Sequence, residues 1–179
     1  MVDLRGEHEW AEDPPDPLPV PVQREPMNGD PLPAVWEWPT MRDAYLALLD
    51  RFRGEFARTL TALGGAEPPA AVHCAGGRDR TGLSCGMALW LAGVEPDAIA
   101  ADHALSDEHW APFQEEWFAQ APTEVERARR RRISSPAGRT LADVLEELEE
   151  REGVRAYLLA AGADSRALDR LVIRLRGED

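Results

Sequence analysis

Apolar residues recur at helical spacing over most of the chain, and they alternate or cluster as strands in only three short stretches. From Thr40 onward, Tyr45, Leu48, Leu49, Phe52, Phe56, Leu60 and Leu63 share one helical face. Thr40 is the N-cap of this long helix, Asp43 holds the capping-box position, and Gly64-Gly65 ends it. Pro96 opens a second helix toward Ser106. Helical spacing resumes from Phe113 to about Arg132, with a break at Pro122, and again from Thr140 to Arg151. Two short helices, Val154 to Ala161 and Ser165 to Arg176, meet at Gly162. The strand candidates are Val2 to Arg5, Pro19 to Glu25 and Pro69 to Cys74. Pro-rich loops fill 11–17 and 26–39, the latter carrying Trp36 and Trp38. After the third strand a Gly-containing turn, Ala75 to Asp79, leads into a helix running to about Leu91. Strands that are few and helix-linked predict an α/β fold: a short, mostly parallel central sheet flanked by helices, with a helical C-terminal half.

The 179 residues suit one domain with a sizeable core. Its expected parts are a partial sheet and loops in 1–37, the long helix and the strand–loop–helix unit in 40–108, and helices in 109–179. At 44% hydrophobic and 30% charged, the composition is that of an ordinary globular chain. No apolar run approaches the roughly 20 residues that cross a bilayer, so no integral membrane segment is expected. Met1-Val2-Asp3-Leu4-Arg5 lacks the basic-then-apolar layout of a secretory signal, which predicts a cytoplasmic protein. Cys74 and Cys85 do not make a disulfide framework, in keeping with a reduced compartment. A net charge of −13 argues against nucleic-acid binding, because affinity for a phosphate backbone needs a basic face. Every basic residue apart from histidine is Arg, as in chains from GC-rich bacterial genomes.

Chemistry concentrates in His73-Cys-Ala-Gly-Gly-Arg-Asp-Arg-Thr-Gly82. A strand, a tight turn and a helix start aim successive backbone N–H groups at one anion. Ala75, Gly76, Gly77, Arg78, Asp79, Arg80 and Thr81 can wrap a phosphate, and the small residues permit close approach. Arg80 can grip two phosphate oxygens with its planar fork. Cys74, at the floor of this cradle and under the positive end of the helix, is placed to react as thiolate. It attacks phosphorus in line, forming a phosphocysteine that water hydrolyses. His73 is expected to hold the cysteine backbone or favour the thiolate, and Thr81 to donate its hydroxyl to the sulfur. The scheme needs no metal and no cofactor.

These residues resemble the cysteine-based protein tyrosine phosphatase superfamily. More narrowly, the loop resembles H-C-x-x-G-K-D-R-T-G of the bacterial group typified by the mycobacterial secreted phosphatase B. Val2-Asp-Leu-Arg5 is similar to that group's V-D-L-R strand, Asp102-His-Ala-Leu-Ser106 to its D-Y-x-x-S helix, and Tyr157 to Gly162 to its Y-L-x-x-x-G. The resemblance implies a phosphatase-like fold, a helical lid within 109–179, and activity on phosphotyrosine, with phosphoserine/threonine or phosphoinositides also within the group's range. It differs at three points: Arg78 stands where Lys is common, His103 where Tyr is common, and the group's R-D-L-G-G segment has no counterpart in this sequence.

A carboxylic acid normally protonates the leaving oxygen. Two aspartates compete for that role: Asp79 within the loop, and Asp30 in the Pro/Gly loop after the second strand. Asp102 is expected to support the loop. Cys85 is read mainly as a small buried residue, with a protective disulfide to Cys74 as its alternative. The aromatic stretch His109, Trp110, Phe113, Trp117 and Phe118 divides between core packing and a lid over the site. The basic run Arg127 and Arg129 to Arg132 divides between a solvated helix end and a recruiter of anionic substrate. The acidic run Glu146 to Glu152 is a solvent face that could pair with it. The expected activity is a cysteine-dependent protein-tyrosine phosphatase. Its rivals are a phosphoinositide phosphatase, with Arg78 as the extra charge, and a phosphate-binding pseudophosphatase. The expected partner is therefore a phosphorylated protein or a phosphoinositide.

Overall fold

A computed structural model describes residues 1–14, 19–27, 39–134 and 138–178. Asp30, Trp36 and Trp38 lie outside the described residues. The chain forms an α/β fold in which helices dominate. Among the described residues, its sheet has three parallel strands of two residues each, in the order β2 (Gln23–Arg24), β1 (Val2–Asp3), β3 (Val72–His73). Val2 is in register with Gln23 on one side and Val72 on the other. Bonds beyond the strand ends, such as Leu4 N–H to His73 O at 2.8 Å, extend the pairing slightly. The short ladder follows from the sequence, since prolines crowd the second stretch and each X-Pro removes a donor.

Helix α1 (Glu7–Glu12) follows β1 directly. The long helix expected from Thr40 is two helices, α2 (Met41–Arg51) and α3 (Arg53–Gly65). They meet at Phe52, whose φ of −105° and ψ of 26° bend the axis. Hydrogen bonding continues through the bend, from Phe52 N–H to Leu48 O and from Phe56 N–H to Phe52 O. Bending turns Phe52 and Phe56 into the same core, and Gly54 in the first turn of α3 lowers the cost of interruption. Thr40 caps α2 as expected, accepting from Asp43 N–H.

Helix α4 (Asp79–Leu91) follows β3 and its loop. It packs against α2, α3, α5 (Pro96–Ala119), α7 (Gly138–Arg151), α8 (Val154–Ala160) and α9 (Ser165–Arg176). The core around it includes Leu60, Leu83, Met87, Leu145 and Tyr157, all fully enclosed. Tyr157 ties two of these layers together by donating its hydroxyl to Leu49 O at 2.6 Å. Arg170 and Arg174 of α9 donate to Gly64 O and Ala66 O, satisfying carbonyls at the end of α3 that have no helical partner. Helix α5 runs unbroken through Pro112, beyond the end expected near Ser106. The break near Pro122 separates it from α6 (Glu124–Ile133). Among the described residues, no helix is long and apolar enough to cross a membrane.

Candidate active site

The loop between β3 and α4 presents its apex and hides its base. Ala75, Gly76 and Gly77 are exposed, whereas Cys74 is 6% exposed, Arg78 7% and Arg80 8%. Gly77 has a φ of +67°, a left-handed conformation that a side chain would strain. That turn brings the chain over the start of α4, whose first N–H groups have no intrahelical acceptors and favour an anion. His73 donates Nδ1–H to Cys74 O at 3.2 Å. Its Nε2 lies 3.6 Å from Asp3 Oδ2, and Asp3 is itself buried and gripped by Arg5 Nε and Nη2. The β1 carboxylate therefore braces β3 from behind, next to the cysteine.

Arg80 is held end-on by Glu9 of α1, with Nη1 donating to Oε2 at 2.7 Å and Nη2 to Oε1 at 2.6 Å. Nη1 also reaches Leu4 O at 3.4 Å. A guanidinium has five N–H donors. End-on pairing leaves the Nε–H and one Nη2–H along its side, the fork that matches two oxygens of a phosphate. Burial works against the Glu9 carboxylate, but Arg80 and the Gly6 N–H outweigh it, holding Glu9 below the usual carboxylate range. Burial likewise opposes the charge on Arg80, and Glu9 reverses the balance.

The remaining loop residues face α2 and α5. Arg78 is turned inward and forms an ion pair with Asp107 at 2.9 Å, so its charge is matched inside the protein. Asp79, half-buried, accepts from the hydroxyl of Tyr45 at 2.9 Å. Tyr45 is also 3.1 Å from His103 Nε2. Trp110 of α5 donates its indole N–H to Gly76 O at 2.9 Å, bracing the outer side of the loop. Thr81 Oγ1 is enclosed and makes no hydrogen bond, so the expected bond to sulfur is not formed here. Thr81, Cys85, the exposed Asp102, His103 and Ser106 line a cavity of about 150 Å³ behind the loop. Both cysteines are free thiols, and burial pushes Cys85 up to about 11, which keeps it protonated at neutral pH.

Beyond Trp110, the aromatic stretch forms an edge-to-face ladder of Trp110, Phe113 and Trp117, with Phe113 65% exposed. The basic run is engaged locally. Arg127 pairs with Glu124, Arg129 and Arg130 pair with Glu126, and Arg130 and Arg131 lie over Trp117 and Phe118. The acidic run pairs elsewhere: Glu146 with Arg139, Glu147 with Arg42, and Glu152 with Arg53. Among the described residues, no group of three or more His, Cys, Asp or Glu side chains is placed to hold a metal ion.

Cys74, Arg80, Asp79, Arg78 and His73 thus converge at one end of the sheet, while Asp102 stands at the rear cavity. Trp110 joins them from the aromatic stretch that divides between core packing and a lid, and so do Glu9, Tyr45 and Asp107, which the sequence does not single out as site residues. Only Glu9 carried a visible signal, as a carboxylate four residues beyond the Asp-Leu-Arg strand end. No curated protein matches the chain. The sequence profile of the tyrosine phosphatase family, however, matches residues 1–177. With nearly its whole length covered, the chain belongs to the tyrosine phosphatase family.

Proposed function

We infer that this phosphatase is a cysteine-dependent phosphomonoesterase acting on phosphotyrosine in proteins, through a phosphocysteine intermediate formed on Cys74 within one domain. The observation that carries this is the end-on grip of Glu9 on Arg80, which leaves the side fork of the guanidinium uncommitted in the field of a buried Cys74. In the first step the Cys74 thiolate attacks phosphorus, the bond from phosphorus to the ester oxygen breaks, and a carboxylic acid gives that oxygen its proton. Arg80 and the loop N–H groups balance the charge spread over the equatorial oxygens. In the second step the resulting carboxylate takes a proton from water, which attacks phosphorus and releases phosphate and the thiolate. Asp79 is favoured as the acid because Tyr45 fixes it beside the loop; Asp30 remains the competing candidate. The narrower likeness to the bacterial group of phosphatase B type rests on the loop and the three flanking motifs.

The Arg78–Asp107 pair favours phosphotyrosine over phosphoinositides, since a matched, inward-facing cation offers little to a multiply phosphorylated headgroup. The test is hydrolysis of a small aryl phosphate without added metal, comparing wild type with Cys74→Ser. Activity lost on substitution supports the mechanism. Activity that survives it, or that depends on added metal, overturns it. A matched panel of phosphotyrosine peptides and phosphoinositides tests the substrate, and a large kcat/KM preference for the lipids would reverse that assignment.

A further inference from the structure

Asp79 does not stand alone at the loop. A chain of hydrogen bonds runs from its Oδ1 to the Tyr45 hydroxyl at 2.9 Å and on to His103 Nε2 at 3.1 Å. The three side chains come from α4, α2 and α5, so three separately packed elements meet at one carboxylate. Tyr45 is fully enclosed and His103 nearly so. The His103 ring is wedged against α4 at Gly82, where an added Cβ would lie 2.4 Å from Cε1 and 2.7 Å from Nδ1. A side chain at position 82 would push the imidazole away from the place where its Nε2 meets Tyr45.

We propose that Tyr45 and His103 are positioning residues that assign the acid proton of Asp79 to a single oxygen. The inference rests on Asp79 being the general acid. A hydroxyl has one proton to give. Because Tyr45 spends it on Oδ1, its own oxygen must be met by an N–H, which makes His103 the Nε2–H tautomer. Oδ1 is then an acceptor, and the proton of the acid form sits on Oδ2, the oxygen that Tyr45 leaves uncommitted. Burial, seconded by Arg78, holds His103 below the usual histidine range, although Asp79, Asp107 and Asp102 pull the other way. Burial and Asp79 keep the Tyr45 proton in place. The relay gains and loses no net proton during turnover. It directs one that Asp79 gives to the ester oxygen and regains from water.

The consequence is read in leaving-group dependence. A good leaving group, nitrophenolate, needs little protonation, whereas phenolate needs much more. Tyr45→Phe removes one oxygen and keeps the ring. It should lower kcat/KM, which reports the first step alone, on phenyl phosphate by about 10-fold, a part of the 10²–10⁴ that a positioned acid contributes, with nitrophenyl phosphate falling no more than about threefold. Inhibition by vanadate should stay within about twofold of wild type, since the cradle is untouched. His103→Leu should reproduce this pattern, and His103→Gln, whose amide N–H can replace Nε2–H, should restore much of the loss. The histidine pair also carries the test if Tyr45→Phe fails to fold. Equal losses on both substrates, no loss on either, or no rescue by Gln would overturn the relay. Asp79→Asn separates the two levels. A selective loss there without one in Tyr45→Phe defeats the relay alone, whereas no selective loss in Asp79→Asn defeats the acid assignment and the relay with it.

Discussion

Removing the Glu9 carboxylate tests whether the N-terminal helix is part of the site. In the native protein both of its oxygens are bonded to Arg80, at 2.6 and 2.7 Å. Taking one partner from a buried ion pair costs about 3–5 kcal/mol, because the surviving charge is left uncompensated. The Glu9 side chain is 30% exposed, so water can enter the gap, and about 2 kcal/mol is the appropriate expectation for Glu9→Ala. Urea denaturation measures it directly. The pH dependence has a definite sign. Glu9 lies below its ordinary value of 4.5 in the folded state, so its contribution is fully present above about pH 4.5 and is lost as pH falls through the lower folded value. In Glu9→Gln that segment of the acid-stability curve flattens. Catalysis should suffer as well, because an arginine no longer held end-on samples other rotamers. A misplacement of about 1 Å costs about 10²-fold, so kcat/KM for aryl phosphate should fall by about 30- to 100-fold. If both variants keep kcat/KM within about threefold and the wild-type urea midpoint, Glu9 does not position the clamp.

Gly77→Ala should lower stability by about 1–2 kcal/mol, since φ of +67° strains any residue with a Cβ, and should depress kcat/KM further by opening the loop; denaturation and steady-state kinetics give the two numbers separately. Asp107→Ala strands Arg78 in a nearly closed site and should cost about 3 kcal/mol in the same denaturation assay, whereas Arg78 and Asp107 replaced together by apolar residues should recover most of that. Trp110→Phe removes the bond to Gly76 O but keeps an aromatic ring, with an expected loss of about 1 kcal/mol and a raised KM.

What the sequence made legible was whatever depends on neighbours along the chain. The cap at Thr40, the start at Pro96, the stop at Gly162 and the C-terminal helices were visible because caps and periodicity are local. The bend at Phe52 was not, since the apolar period continues smoothly across it and the halves differ only in the backbone angles of that one residue. The end of α5 misled in the opposite direction, for it was expected near Ser106 and the helix continues through Pro112 to Ala119. At the site, Cys74 and Arg80 declared themselves through fixed spacing within one loop. Glu9 and Tyr45 did not, because each meets the loop across at least 34 positions of sequence, and the same separation left Trp110 divided between core and lid. Convergence of that kind has no period. Arg78 shows the converse, for its place in the motif suggested an outward charge until Asp107 of a remote helix was seen to turn it inward.

The placement of β1 in the middle of the sheet carries a kinetic consequence. Its parallel partner β3 lies about seventy positions later, and the Arg80 that Glu9 must find is 71 positions away. Contacts of such separation close late, after the entropy of a long loop has been surrendered. During synthesis β1 and α1 can meet β2 early, but β3 and Arg80 reach them only after the bent helix of α2 and α3 and the cysteine loop have emerged. The phosphate cradle should therefore be the last part of this molecule to mature.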